Sequence, residues 1–248
     1  MMGSSHAVSG TAAWLALTSS TSISLGVLPN VDAAGIAVGA AVATGAAMLP
    51  DLDHPSAKAA RFLPPLTTGI SRAVGTISGG HRHGTHSLVG IVAFTLLGWF
   101  ATKWQISDVS WLDGANFQAG SALLSFLLIA LGFKSLKLIP NDTVAWLGAL
   151  AGAGAVGVLA PEQSWWLALA VGVGASAHIL GDMLTVQGVP LLWPLKARPP
   201  VQTTFWRRNG YFALPILGST SSWREGVLAG ALAVYVVVVV VLMASTGA

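Results

Sequence analysis

Residues 227–244 read VLAGALAVYVVVVVVLMA, a stretch without a charged side chain. A helix needs about 20 mostly apolar residues to cross the hydrocarbon core of a bilayer, and this stretch is close to that length. It therefore predicts a membrane-spanning helix near the end of the sequence. Similar segments occur upstream, and the predicted spans are residues 7–28, 31–50, 86–102, 120–133, 143–160, 165–187 and 227–244.

These segments predict an all-α, polytopic membrane helix bundle of about seven spans. The first segment is the least regular, because Thr18 to Ser24 is almost entirely Ser and Thr. Two interpretations of it stay open: a full span, or a short helix followed by a loop. The two long segments between predicted spans, 51–85 and 188–226, are too short and too rich in Pro to be separate domains. The sequence contains no internal repeat.

The composition agrees with a lipid environment. Only 8% of the residues are charged, against roughly 25% in a soluble domain, and the mean hydropathy is +0.71. Ordinary soluble proteins and disordered chains are therefore excluded. Cysteine is absent, which excludes disulfides, thiolate nucleophiles and cysteine-ligated metals. Any metal must be held by His, Asp or Glu.

The basic residues predict the orientation. Loops 51–85, 134–142 and 188–226 alternate along the seven-span arrangement and contain all Lys and Arg residues except Lys103. Because basic loops stay in the cytoplasm, we predict a multi-pass protein of the cell membrane with a cytoplasmic N-terminus. The formal charge of +3 then reflects topology, and no nucleic-acid partner is expected.

All six histidines and three of the nine acids fall in four short patches. In the predicted topology every patch lies at the cytoplasmic membrane face, so we expect them to converge. Imidazole and carboxylate ligands without thiolate suit zinc, manganese, iron or magnesium. The patches are His6, Asp51 to His54, His81 to His86, and His178 with Asp182.

Each patch also has a simpler interpretation. His6 is explained as a terminal polar residue, and Asp51 to His54 as a turn that ends a helix before a proline. His81 to His86 suits an interfacial segment beside anionic headgroups, with Thr85 or Ser87 capping the next helix. An ionisable pair such as His178 and Asp182 within an apolar helix is costly and needs a partner or an ion.

Taken together, five motifs are recognisable: Gly3 to His6, Leu49 to Pro55, His81 to Ser87, His178 to Thr185, and Gly188 to Pro194. They resemble a family of LexA-regulated, inner-membrane, metal-dependent hydrolases, over about residues 3–195. That family is remotely similar to the zinc-dependent phospholipase C and single-strand nuclease superfamily.

The resemblance implies a hydrolase-like core at 1–195, followed at 196–248 by a cytoplasmic loop and a final membrane helix. It also implies one or more divalent ions, zinc above all. The ligand set that it implies is His6, Asp51, Asp53, His54, His81, His86, His178 and Asp182. His83 stands where the family usually has glycine, so either an extra ligand or a supporting role stays open for it.

The predicted function is metal-dependent hydrolysis of a phosphate ester of a membrane lipid or a lipid-linked molecule. A bound metal lowers the pKa of water from about 15.7 towards roughly 7, which supplies hydroxide at neutral pH. Asp51 or Asp53 would bridge ions or take the proton, and Arg82 would hold a phosphate oxygen. Trp193 and Trp206 are expected at the same membrane face as interfacial anchors.

Two other functions stay open from the sequence. The same His and Asp residues suit a transporter of metal ions or protons, although the fourth, fifth and seventh spans carry no carboxylate or imidazole to continue such a path. A non-catalytic stress-response membrane protein would use its polar patches only to hold helices together. The other acids, among them Asp32 and Glu225, are interpreted as ordinary loop and helix-end residues.

Overall fold

The computed structural model describes residues 1–28, 30–136, 142–159, 165–195 and 197–246, and within them the chain is helical. Three short 3-10 turns occur at Pro50–Asp53, Gly84–His86 and Ser110–Leu112, and in these ranges only isolated bridges, such as Val189 with Phe212, resemble a sheet. The described ranges contain eight α-helices: α1 Gly3–Thr18, α2 Ala33–Ala46, α3 Leu66–Ile77, α4 Leu88–Ala101, α5 Ala119–Leu136, α6 Asp142–Leu159, α7 Trp165–Met183 and α8 Trp223–Thr246. The all-α prediction is confirmed.

Each of the seven predicted spans coincides with one helix. The first helix ends at Thr18, so the Ser/Thr-rich stretch after it is a loop, as the second interpretation of that segment expected. The amphipathic helix α3 was not predicted, because it lies within a segment interpreted as a loop. Lys137 and Lys196, which belong to the basic loops of the charge argument, lie outside the described residues.

Four helical segments in the described part are long and apolar enough to cross a membrane. They are Ala33–Asp53, Ala119–Leu136, Trp165–Met183 and Trp223–Thr246. Leu88–Ala101 and Thr143–Val158 are apolar but shorter. The structure therefore supports a multi-pass bundle with four candidate spans, while the number seven and the cytoplasmic N-terminus stay predictions.

The centre of the bundle is formed by α1, α2 and α7, which pack on one another. Trp14, Trp166 and Leu167 are fully buried between them, and Trp14 Nε1 donates a hydrogen bond to the carbonyl of Ile36 at 3.0 Å. Small residues permit the close approach: a Cβ on Gly174 of α7 would lie 2.4 Å from the Ala43 carbonyl oxygen of α2. The outer helices cover this centre, with α4 on α7, α5 on α2, α6 on α5 and α8 on α1.

Two helices near the polar patches begin at side-chain caps. Asp32 Oδ1 accepts a hydrogen bond from Gly35 N at 2.7 Å at the start of α2, so its interpretation as a helix-end residue is confirmed. Ser87 Oγ accepts from Gly90 N at 3.2 Å at the start of α4. Of the two predicted caps for this helix, Ser87 is the one used, which fixes His86 immediately before the helix.

The segment between α7 and α8 folds back onto the end of α7. Leu214 N donates to the Met183 carbonyl at 2.7 Å, and Val189 and Phe212 exchange backbone hydrogen bonds of 2.8 and 2.9 Å. Residues on the two sides of the predicted boundary at 195/196 are therefore hydrogen-bonded to each other. The division into a core at 1–195 and an appended part at 196–248 stays a prediction.

Candidate metal centre

The four polar patches meet at one end of the bundle. His6 comes from the first turns of α1, Asp51 and Asp53 from the 3-10 turn after α2, and His86 from the turn before α4. His178 and Asp182 are one turn apart near the end of α7, so both side chains point the same way. Helix packing thus brings together residues that are up to 176 positions apart in the sequence, as predicted.

His86 and His178 form the centre of the cluster. Both are fully buried, and their Nε2 atoms lie 3.3 Å apart. His178 Nδ1 lies 2.7 Å from the carbonyl oxygen of Ala47, and since a carbonyl only accepts, Nδ1 carries the proton. The Nε2 lone pair of His178 is therefore directed into the cluster. A backbone carbonyl on the second ring nitrogen is the usual support of a metal-binding histidine.

Two carboxylates complete triangles with this histidine pair. Asp182 Oδ2 lies 3.6 Å from each Nε2, and Asp51 Oδ1 lies 3.6 Å from His86 Nε2 and 3.7 Å from His178 Nε2. A tetrahedral zinc ion with bonds of about 2.0–2.2 Å needs ligand atoms about 3.3–3.6 Å apart. Each triangle therefore has the size of one face of a tetrahedral site.

His6 extends the cluster on the side of α1. Its ring stacks on His178 with centroids 3.6 Å apart, and its Nε2 lies 3.3 Å from Asp182 Oδ1. His6, His178 and Asp182 form a second group of potential ligands beside the group of Asp51, His86 and His178. Gly181 makes this approach possible, because a Cβ there would meet the His6 ring at 3.4 Å and the Met1 sulfur at 2.5 Å.

Asp182 also has cationic partners from the chain itself. Arg82 Nη2 lies 2.8 Å from Asp182 Oδ2, and the amino group of Met1 contacts Oδ1. Arg82 has a left-handed backbone with φ of 59°, an uncommon conformation for a non-glycine residue. Arg82 Nη1 is buried without a hydrogen-bond partner among the described residues, so one face of the guanidinium is available to an anion.

Asp53 is hydrogen-bonded to the loop of residues 81–86 rather than directed at the histidine pair. Its Oδ1 lies 2.8 Å from His81 Nδ1, and its Oδ2 accepts hydrogen bonds from Arg82 N at 2.9 Å and Thr85 Oγ1 at 2.6 Å. His86 Nδ1 is 3.5 Å from the same Oδ2. Because both oxygens are occupied in this way, Asp53 holds the turn that carries His81, Arg82 and His86.

The remaining histidines lie around the rim. The side chain of His81 is 40% exposed, and the ring of His54 packs edge-on against it with centroids 4.6 Å apart. His54 Nδ1 accepts from Ser56 N at 3.2 Å. His83 Nδ1 donates to the His81 carbonyl at 2.9 Å. Within the described residues, neither potential ligand group includes His54, His81 or His83.

Tyr211 packs against the loop that contains Arg82 and His83. Its hydroxyl donates to the Arg82 carbonyl at 3.4 Å, and its ring meets His83 edge-on at 6.4 Å. Partial burial raises the pKa of Tyr211, although the charge of Arg82 opposes the shift. The phenol therefore stays protonated at neutral pH and remains a donor.

Two contacts of the N-terminal segment were not predicted. Glu225 in the first turn of α8 is 1% exposed and accepts hydrogen bonds from Met2 N at 2.5 Å and Ser221 N at 2.9 Å. Its interpretation as a helix-end residue is therefore confirmed, but its burial and its contact with Met2 were not expected. The contact of the Met1 amino group with Asp182 was also missed, since no sequence pattern relates the two residues. An acid at the start of a strongly apolar helix was the available signal for Glu225.

The residues present fit a metal ion. Asp182 Oδ2 is paired with Arg82 Nη2, and His6 Nε2 lies 3.3 Å from Asp182 Oδ1. His6 Nδ1 is buried without a hydrogen-bond partner among the described residues. Buried polar atoms in this state are costly unless something else satisfies them, and a cation suits this set of lone pairs. Imidazole nitrogens with carboxylate oxygens are typical ligands of zinc.

Comparison with known proteins identifies the family to which the chain belongs. The model of the family described as "YdjM inner membrane protein" matches residues 1–248. The proteins named "Inner membrane protein YdjM" in Escherichia coli (strain K12) and Shigella flexneri are each 30% identical over 170 residues, which is 68% of this chain and 50% of each relative. The match thus spans about half the length of these relatives, and no solved structure matches. Together with the membrane-length helices, the matches place the protein in the inner membrane as a multi-pass protein.

Proposed function

Since the chain belongs to the YdjM inner membrane protein family, we propose that its His/Asp cluster binds a divalent metal, with zinc favoured, and hydrolyses a phosphate ester of a membrane lipid or lipid-linked molecule. The observation that carries the proposal is the pair of ligand-sized triangles on the His86 and His178 Nε2 atoms. The names of the relatives state a membrane location and no activity, so the hydrolysis is a proposal.

In this proposal the metal is held by His86, His178, Asp51 and Asp182, with His6 as a further ligand beside Asp182. His178 offers a single nitrogen, because its Nδ1 is bound to Ala47. Because one lone pair binds one ion, this limit fits a single ion between the four central ligands, with His178 as a ligand of that ion alone. His54 and His81, which the family resemblance includes, then act at the rim, where His81 Nδ1 is held by Asp53.

The bound metal would supply a Lewis acid and a water molecule of lowered pKa. Residues of the chain would accept the proton and bind the phosphate. Asp51 is the least buried of the four central ligands, with 23% of its side chain accessible, so its carboxylate is placed to take a proton from entering water. Arg82 offers its unpartnered Nη1 to a phosphate oxygen, and Asp53 fixes the loop that presents Arg82.

The proposed topology has seven spans and a cytoplasmic N-terminus, with the cluster at the cytoplasmic membrane surface. This arrangement is supported by the coincidence of seven apolar segments with seven helices and by the alternation of basic loops. LexA regulation and the remote similarity to zinc-dependent phospholipases C belong to the same set of proposals, and the family description mentions neither.

The test is metal analysis of the purified protein in lipid nanodiscs, with His178→Ala and His86→Ala variants. We expect stoichiometric zinc or another divalent ion in the wild type and its loss in both variants. His83→Ala is the matched control for metal content, because His83 lies outside both ligand groups. Hydrolysis of phosphate esters, from a lipid panel to a soluble nitrophenyl phosphodiester, would be followed with and without a chelator.

Three outcomes would overturn the proposal. The metal site is wrong if the wild type binds no divalent ion after supplementation, or if both variants keep a full complement. A metal-loaded protein that hydrolyses none of the esters and carries ions across proteoliposomes would instead be a transporter. Loss of stability in the variants without any metal to lose would indicate a structural cluster, in which Arg82 and the Met1 amino group balance Asp182.

A further inference from the structure

An apolar groove lies beside the cluster, between α3 and α4. It has a volume of about 240 Å³ and is lined mainly by Val74 and Ile77 of α3 and by Val89, Ala93 and Phe94 of α4. The polar lining is confined to Ser78 and Thr85. The Thr85 hydroxyl donates to Asp53, and the next residue is His86, so the inner end of the groove adjoins the cluster.

The outer walls of this groove continue into surfaces suited to lipid tails. On α3, Leu66 and Ile77 are 65% and 80% exposed, and on α4, Val92 is 56% exposed. An amphipathic helix with such a face lies in the interface of a membrane with its apolar side towards the acyl chains. In an inner membrane protein, exposed apolar side chains of this kind are expected to face hydrocarbon rather than water.

A second cavity of about 320 Å³ lies on the other side of Trp193, which lines both cavities. Its lining is more polar and includes His83, Asn209 and Tyr211. The loop between the two cavities carries Arg82, whose carbonyl accepts from Tyr211. An apolar space and a polar space therefore share Trp193 as a wall, and the residues that follow Arg82 line them, His83 the polar one and Thr85 the apolar one.

We propose that the two cavities form a single binding site for a membrane phospholipid. One acyl chain lies in the groove between α3 and α4, and the polar headgroup lies beside His83, Asn209 and Tyr211. The phosphate then passes close to Arg82. As an assignment of substrate class this inference rests on the proposed function, but lipid binding itself requires neither metal nor catalysis.

Photocrosslinking tests the site without measuring hydrolysis. The probe is phosphatidylglycerol with a diazirine on one acyl chain, in nanodiscs of phosphatidylethanolamine and phosphatidylglycerol. Wild-type crosslinks are expected on residues 66–94. Ala93→Trp and Val74→Trp fill the groove from its two walls, and each should lower this labelling about tenfold, equivalent to about 1.4 kcal/mol. Val234→Trp is the control, because Val234 is 64% exposed on the distant helix α8.

A diazirine fatty acid without a phosphate headgroup separates the two cavities. His83→Ala should lower labelling by the phospholipid and leave labelling by the fatty acid unchanged. The groove assignment fails if both tryptophan variants, with melting temperatures like wild type, keep full labelling. The headgroup assignment fails if His83→Ala changes neither probe. Labelling that survives removal of metal, in a protein without hydrolysis, would keep this site and refute the enzyme.

Discussion

Helices α7 and α8 are both long enough to cross a membrane, yet the protein uses them in opposite ways. In α7, 72% of the most apolar window is buried inside the bundle, whereas in α8 only 6% is buried. The more hydrophobic of the two is α8, with its unbroken valine run, and it faces outwards. The less hydrophobic α7 lies at the centre and carries His178 and Asp182.

This difference shows that hydrophobicity does not decide which helix is buried in a membrane protein. Lipid tails are as apolar as valine, so burying α8 would gain little. Close packing through small residues and satisfaction of polar groups decide instead. Gly174 and Gly181 allow close neighbours, and Asp182 needs partners that only the centre of the bundle provides. Each helix also has one buried carboxylate, Asp182 in α7 and Glu225 in α8.

The largest effect is expected from Asp182→Asn. It leaves Arg82 partly buried without its carboxylate, and removal of one partner of a buried ion pair costs about 3–5 kcal/mol. The free energy of unfolding, measured by tryptophan fluorescence during denaturation in mixed micelles, should fall by this amount. Asp113→Asn, at an exposed loop acid, is the matched control and should have no effect. Equal stability of the two variants would contradict the structural role of the pair.

A smaller effect on stability is expected from Gly174→Val in α7, which is compared with Gly230→Val in α8. Gly174→Val places a side chain against the Ala43 carbonyl of α2, and we expect about 3 kcal/mol of destabilisation from this overpacking. Gly230→Val in α8 is the matched substitution, since nothing lies within 4 Å of a Cβ at Gly230. It should leave the melting temperature unchanged or slightly raised. If Gly230→Val is the more damaging of the two, the assignment of α8 to the lipid-facing surface is wrong.

The smallest effect is expected from Glu225→Gln in α8. An amide keeps one acceptor oxygen, so only one of the two backbone hydrogen bonds, from Met2 N or Ser221 N, is lost. A buried donor left unsatisfied costs about 1–2 kcal/mol. Metal content should be unchanged, because Glu225 lies outside both ligand groups. A loss of metal in this variant would move Glu225 from a structural role into the site.

Much of this arrangement was predictable from local properties. Apolar length predicted seven helices, and the spacing of four residues put His178 and Asp182 on one helix face. The common membrane depth of helix ends predicted that the four patches converge. The amphipathic helix α3 was missed because its alternation of polar and apolar residues is short and lies within a Pro- and Gly-rich segment.

The ligand triangles were not predictable, because they depend on which ring nitrogen faces inwards. His178 Nε2 is directed into the cluster only because Ala47 O binds its Nδ1, and Ala47 comes from another helix. The roles of the two acids in the turn after α2 differ for a similar reason. Asp51 reaches the histidine pair, whereas Asp53 is held by the backbone and side chains of the 81–86 turn.

The sequence alone determined the lipid environment and the helical class, and it predicted that the four polar patches converge. These follow from composition, segment length and the end of the helix at which a residue stands. The tertiary structure decided which side chains form the cluster, which helix faces lipid and which acid partners the N-terminal segment. Those choices depend on helix packing, and packing is set by contacts between residues far apart in the chain, such as Gly174 with Ala43, His6 with His178, and Glu225 with Met2.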